Sequence, residues 1–250
     1  MIEHVLWRLA LFAAVCAAIA GCRNPTIEES FDPDAGDFDG GDWFDTDAGD
    51  DAGAGSLCPE GTPDLFNNSY SPYIGGEESP DLVLVEFAHF HCPWCATFKD
   101  IEHDLWEKRE DYRARVRLYY HHFPFSYQEI WDLQALSVAA QMQGQEYFWA
   151  FHDWYYDKMN DDERPSIDES LSYLENQLQL EMTQVEEVMA SDQTMSFLQW
   201  DKDQGLAQGV SGTPSVFLCG EKIPNTNNGL WGDGTFEDII DSYLYGTGNK

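Results

Sequence analysis

The chain has 250 residues, 43% hydrophobic and 14% aromatic, enough for one sizeable core and not enough to require two domains. It carries 46 acidic against 13 basic residues, a formal net charge of -33. That balance excludes nucleic acid as a partner, because phosphate contacts need clustered Lys and Arg.

Arg8 precedes an apolar stretch from Leu9 to Ala20, the length of a signal-peptide core and too short to span a bilayer. It ends in Ile19-Ala20-Gly21-Cys22, and small residues before a cysteine resemble the lipobox of bacterial lipoproteins. The resemblance implies that residues 1–21 are removed and that lipidated Cys22 anchors the mature chain to a bacterial membrane. The protein is then extracytoplasmic, on the periplasmic side, where disulfides form and persist. Cys16 leaves with the leader, so Cys58, Cys92, Cys95 and Cys219 remain as thiols of the folded part. Residues 22–57 read as an acidic tether, in which "DPDAGDFDGGDWFDTDAGDDAGAG" cannot bury enough apolar surface to offset its ordering entropy. Its alternating Asp residues do not make a calcium loop. Counted from Asp37, Gly41 stands where an EF-hand needs a ligand and Asp42 where it needs Gly.

The domain proper is expected over 58–250. "DLVLVEF" (81–87) is a short, nearly continuous apolar run after Pro80, as in a buried strand. "ATFKDIEHDLWEKRE" then shows helical spacing at Phe98, Ile101 and Leu105, and "VRLYYHHF" (116–123) reads as a second strand. From about 126 to 207 the pattern is helical: "IWDLQALSVAAQM", "EYFWAFHDWYYDKM" and "IDESLSYLENQL", broken at Gly144 and at Arg164-Pro165-Ser166. "SVFLC" and "EKI" predict a hairpin around Gly220, and a last helix from about Thr235 to Tyr243 ends at Gly246. The order is thioredoxin-like: an α/β fold with a central mixed sheet and an inserted helical domain, which would cover a redox site and leave a groove for unfolded substrates.

Between the first strand and its helix stands "HFHCPWCATF", with Cys92 and Cys95 two residues apart. A zinc site needs two more ligands, usually another close pair, and Cys58 and Cys219 are isolated while the histidines show no suitable spacing. A structural cross-link closing so small a ring contributes little, since loop-closure stabilisation grows with loop length. The redox reading has a mechanism. Unpaired N–H groups and the partial positive charge of a helix N-terminus favour a thiolate at Cys92. A pKa lowered from about 8.5 to about 5 would favour the thiolate by roughly 4.8 kcal/mol, and an oxidised form strained in that way would be oxidising. Neither a metal nor an organic cofactor is expected, and no glycine-rich phosphate loop is present.

"SPYIGGEESPDLVLVEFAHFHCPWC" resembles the opening of the DsbA-like thiol–disulfide oxidoreductases, with a Pro-x-x-Gly turn, a strand ending in Glu-Phe and then Cys-Pro-x-Cys. "VRLYYHHFPF", "AAQMQGQEYFWAFHDWYY" and "GVSGTPSVFLCGEKI" are similar to later segments of that family in the same order, so the resemblance covers about residues 70 to 245. It implies that Cys92 is the exposed nucleophile and Cys95 the buried resolving thiol. It also implies that Glu86, six residues earlier, manages the proton of Cys95, and that Thr213-Pro214 is a cis-proline loop facing the pair. The alternative for Glu86 is a solvated carboxylate at a strand edge. The intervening dipeptide is Pro93-Trp94, where strongly oxidising members carry His in the second place, and Trp cannot stabilise a thiolate as a cation does. His91 could compensate if charged; a neutral strand-end imidazole is the plainer reading.

The expected activity is a dithiol oxidase that forms disulfides in unfolded or reduced exported proteins through a mixed disulfide at Cys92, with a membrane redox partner that reoxidises or reduces the Cys92–Cys95 pair. A reductase or isomerase is the alternative, and a non-catalytic lipid-anchored binding module a more distant one. The even number of remaining thiols in an oxidising compartment invites a Cys58–Cys219 bridge, whose loop of about 160 residues contributes on the order of 4–5 kcal/mol in the chain-entropy model.

Overall fold

The computed structural model describes residues 57–59, 71–76, 80–225, 229–230 and 234–246. The leader, the lipobox with Cys22, the calcium-loop candidate and nearly all of the tether lie outside the described residues. In chain order the elements are β1 (Tyr73–Ile74), β2 (Leu82–Ala88), α1 (Pro93–Lys108), α2 (Glu110–Arg115), β3 (Val116–His122), α3 (Gln128–Gln141) and α4 (Gln145–Asn160). They continue as α5 (Ile167–Asn176), α6 (Met182–Ala190), α7 (Asp192–Ala207), β4 (Ser215–Leu218), β5 (Glu221–Lys222) and α8 (Thr235–Tyr245).

The five strands form one mixed sheet in the order β1-β3-β2-β4-β5. β2 pairs parallel with β3 and antiparallel with β4, so it lies at the centre, and all seven of its residues are buried. A strand covered on both faces reads as a continuous apolar run, which is why "LVLVEFA" lacks polar alternation. Leu82 and Leu84 face one side and pack with Phe98, Trp106, Tyr112, Phe236, Ile240 and Leu244, so α1, α2 and α8 cover that face. Val83, Val85 and Phe87 face the other, against Phe123, Val210 and Phe217.

Three features differ from the sequence reading. Helix α1 stops at Lys108 and a separate short helix α2 follows, with Arg109 in extended conformation between them. Arg109 is held there by Asp111, Glu237 and Asp241, the last at 2.8 Å, which fastens the break to α8. The short strand β1 adds an edge beside β3, turning at Gly75, where φ is +72° and an added Cβ would meet the Trp106 ring and the Val116 carbonyl at 2.5 Å. Finally, the helical region holds five helices, because α6 and α7 are split at Ser191, whose hydroxyl caps α7.

This helical block is an insertion between β3 and β4, with no strand among its described residues. Two contacts tie it to the sheet. Asp201 of α7 is fully buried and accepts from the His121 ring and the His122 backbone N–H, both at 2.8 Å. Phe90, just beyond β2, has its ring 5.1 Å from Phe151 and 5.4 Å from both Tyr155 and Tyr156 of α4, with Tyr120 of β3 at 6.0 Å. Such aromatic pairs add about 0.5–1.5 kcal/mol each beyond their buried area.

Cys58 and Cys219 are joined in a disulfide with Cα atoms 5.3 Å apart. It links the segment before the domain to the end of β4, and a loop of this size acts mainly on the unfolded chain. Replacing both cysteines by Ser is expected to lower the unfolding free energy by about 2–4 kcal/mol. Urea unfolding of the two proteins, each kept oxidised, measures this, and an unchanged midpoint would count against a stabilising bridge.

Candidate active site

β2 delivers the chain to the end of the sheet, and a tight connection follows in which the Cys92 N–H bonds to the His89 carbonyl at 2.9 Å. Cys92 is then the N-cap of α1, with φ -89° and ψ 113°. Pro93 at the first helical position has no N–H to lose and a ring already set for helical φ. The Cys92 sulfur takes the place of the usual Ser or Asp oxygen, accepting from the Cys95 N–H at 3.3 Å. On the other side the Cys92 thiol donates to the Thr213 carbonyl at 3.2 Å, and the Thr213-Pro214 peptide bond is cis. Cys92, Cys95, Thr213 and Pro214 therefore meet at one helix end, with Trp94 exposed beside them at 62%.

Neither cysteine is exposed in the sense the sequence reading gave to Cys92. Cys92 keeps 5% of its surface and Cys95 none. The difference still divides them. The hydrogen bond from the Cys95 thiol is the largest influence lowering the Cys92 pKa; burial opposes it, and the Thr213 side chain and the N–H groups of Cys95 and Trp94 assist, leaving it at about 7. Burial pushes the Cys95 thiol well above its ordinary value, and its hydrogen bond to Cys92 with the nearby charges of Cys92 and Glu86 adds to the shift. A value near 7 is higher than the sequence suggested, for two reasons. Burial of the sulfur opposes its ionisation, and no cation among the described residues acts on it. Burial lowers His89 to about 4, and it lowers His91 as well, so both rings are neutral at pH 7.

Glu86 sits on central β2, opposite Tyr120 on one side and Val216 on the other, 2% exposed. The strand-edge alternative is thereby removed. Burial holds its carboxyl well toward the neutral form; the Cys92 charge adds to this and a hydrogen bond with Glu102 partly offsets it. Glu102 is buried too, raised by burial, Glu86 and Asp153 and drawn back by Lys99. With His152 of α4 these two acids place ligand-capable atoms within 4.8 Å of one another. The sequence reading missed Glu102 and His152. The signal was the helical spacing from Cys95: Lys99, Glu102 and Trp106 follow at four, seven and eleven residues on the buried face of α1.

The family model described as Thioredoxin matches residues 67–239, and the chain belongs to this family. Over 162 residues it is 28% identical to a probable disulfide bond formation protein D of Bacillus anthracis, covering 63% of this chain and 73% of that one. Oxidised BdbD from Bacillus subtilis superposes with a TM-score of 0.60 at 19% identity, over 70% of this chain and 92% of that one. The thiol-disulfide exchange protein alpha-DsbA2 from Wolbachia pipientis gives 0.59 at 15% identity, over 72% and 90%. Within the thioredoxin superfamily the protein is a DsbA-like thiol–disulfide oxidoreductase.

Iodoacetamide should alkylate the reduced protein at Cys92 with a rate that is half-maximal near pH 7. Cys95 should stay unmodified until well above pH 9, because its thiol is buried and its pKa raised. Peptide mapping after short exposures across that range distinguishes the two, and earlier labelling of Cys95 would reverse the order.

Proposed function

We propose that the protein is an extracytoplasmic dithiol oxidase acting on reduced, unfolded exported proteins. A substrate thiolate attacks the Cys92 sulfur of the enzyme disulfide. The Cys92–Cys95 bond breaks, its electron pair stays on Cys95, and Cys95 takes a proton supplied by Glu86. A second substrate thiolate then attacks the substrate sulfur of the mixed disulfide and releases Cys92 as a thiolate. The substrate is oxidised by two electrons and the enzyme reduced by two, which a membrane redox partner removes. Exposed Trp94 offers an apolar surface to an unfolded chain beside the reacting sulfur, and a lipid on Cys22 would keep the enzyme at the membrane. No described helix is long and apolar enough to cross a membrane.

The observation that carries this reading is the asymmetry of the two thiols. Cys92 is the better leaving group and Cys95 the better proton acceptor, so reduction ends with one stabilised thiolate and one thiol. A pKa lowered from 9.0 to about 7 stabilises the folded, reduced form above pH 9, and that stabilisation is lost as pH falls through 7. In full it amounts to about 2.7 kcal/mol, or about 60 mV for a two-electron couple. At pH 7 the thiol is half ionised and only about 0.4 kcal/mol is realised. The sign is oxidising and the strength at neutral pH is mild.

The reading is tested by equilibrating the protein with glutathione and by following oxidation of a dithiol peptide. An oxidising potential, with peptide oxidation abolished in Cys92→Ser, is expected; a potential near the about -270 mV of thioredoxin would make it a reductase, and peptide oxidation retained in Cys92→Ser would make the pair irrelevant. Replacing Trp94 by His should lower the Cys92 pKa by about one unit and raise the potential by up to about 30 mV. Potentials of the two proteins measured side by side check this.

A further inference from the structure

The proton that Cys95 gains or loses in each turnover has to cross a wall of buried side chains, and Glu86 alone does not reach the surface. Behind it the chain has placed a second acid and an imidazole. Glu86 Oε1, Glu102 Oε1 and His152 Nε2 are all shielded from solvent and have no hydrogen-bond partner. An unpaired buried polar atom is costly, and three of them, on side chains that place ligand-capable atoms within 4.8 Å of one another, call for a use. The other ring nitrogen of His152 faces outward: Nδ1 lies 3.0 Å from Asp153 Oδ1, and while the His152 side chain is 2% exposed, that of Asp153 is 44% exposed. A bond from Nδ1–H to that carboxylate sets the tautomer and leaves a lone pair on Nε2, the buried ring nitrogen without a partner.

We propose that Glu102 and His152 relay the Cys95 proton between Glu86 and solvent at Asp153. The proposal rests on the reading of Cys95 as the resolving thiol and deepens it. When Cys95 attacks a mixed disulfide at Cys92, the Cys92–Cys95 bond forms and the substrate sulfur leaves with the electron pair. The Cys95 proton passes to Glu86, to Glu102 and to His152 Nε2, while the Nδ1 proton departs through Asp153. In the opposite direction one proton enters by the same path. Spacings of this order are bridged by side-chain rotation or by one water. Both acids are held toward their neutral forms, so each can give a proton as well as receive one.

The other titratable groups facing the relay come from every element around it. Helix α1 supplies Cys92, Lys99 and His103, β3 supplies Tyr120, and α4 supplies Tyr156 and Asp157. Lys99 is bonded to Asp157 and acts on Glu102, His152 and Asp153 alike. That cation also disfavours a divalent metal ion at the same three atoms.

Ellman's reagent separates the two steps in the full-length protein. The first thionitrobenzoate is released when Cys92 attacks the reagent, and the second when Cys95 attacks the resulting mixed disulfide. In Glu102→Gln and His152→Gln the second release should slow at least about tenfold at pH 7, within the usual range for a lost acid–base step, and recover as pH rises. The first should stay within about twofold, because the groups that set Cys92 reactivity are elsewhere. Asp153→Asn should slow the second release about threefold, and wild-type protein should show a solvent deuterium effect of about two on it. If a buried variant does not fold, these last two measurements decide. Unchanged second release, equal slowing of both phases, no deuterium effect, or one divalent ion bound per native chain would each overturn the relay. Failure of the oxidase reading is separate: it would show as wild-type protein that does not oxidise the peptide even where its own second release is fast.

Discussion

The Cys95 N–H points at the Cys92 sulfur across 3.3 Å, and the rest of the site is arranged around that contact. A helix leaves its first N–H groups without partners, and a side chain at the N-cap has to satisfy one of them. An oxygen would do so in either protonation state with little chemical consequence. A sulfur accepts far better as a thiolate, so the structural need of the helix becomes a bias on the ionisation of Cys92. Pro93 sharpens the arrangement by fixing the first turn without adding a donor. Burial pulls the other way, and the balance near 7 leaves the sulfur able to attack and to leave near neutral pH.

Holding one helix end in register requires anchors on several sides. Phe90 keys the connection before Cys92 into the aromatic layer of α4 and β3, and Asp201 fixes the far end of the inserted helices to β3. At Gly205 the α7 backbone passes so close to the sheet that an added Cβ would lie 2.8 Å from the Phe123 ring. The insertion is therefore built against the end of the sheet where the cysteines emerge. Its interior is aromatic but not apolar throughout, since Tyr120, Tyr156 and His152 bring polar atoms beside the two acids. A layer of that kind lowers stability compared with an aliphatic one, which is tolerable only where proton handling needs it.

The parts of this architecture that follow from pattern were legible in the sequence. Continuous burial of β2, the helix opening at the cysteine pair, the helical insertion and the closing hairpin all leave periodicity or turn residues behind. What escaped the reading depends on contacts across long separations. Arg109 ends α1 because carboxylates near residue 240 hold it, and nothing in "EKRED" announces that. Glu102 and His152 escaped as well, because hydrophobic periodicity does not distinguish a polar residue buried on the core-facing side of a helix from an exposed one. The Cys92 value near 7 likewise reflects burial and a contact with Thr213, a residue 121 positions away.

The net charge of -33 sharpens the question of why a thiolate forms here at all. A surface so acidic disfavours every added negative charge, and none of the described Lys and Arg residues has a hydrogen bond or ion pair to Cys92. Long-range repulsion in solvent is screened beyond about 8 Å at physiological ionic strength. Donors at 3.3 Å in a buried setting are not. Stabilising the sulfur with fixed hydrogen bonds therefore makes its ionisation depend on the geometry of one helix turn, and separates it from the charge of the surface and from the salt around it. The neutral acids behind Cys95 follow the same logic. Were Glu86 ionised, a further negative charge would stand beneath the pair and drive the Cys92 pKa back up, so holding that carboxyl toward its neutral form is part of what lets Cys92 lose its proton.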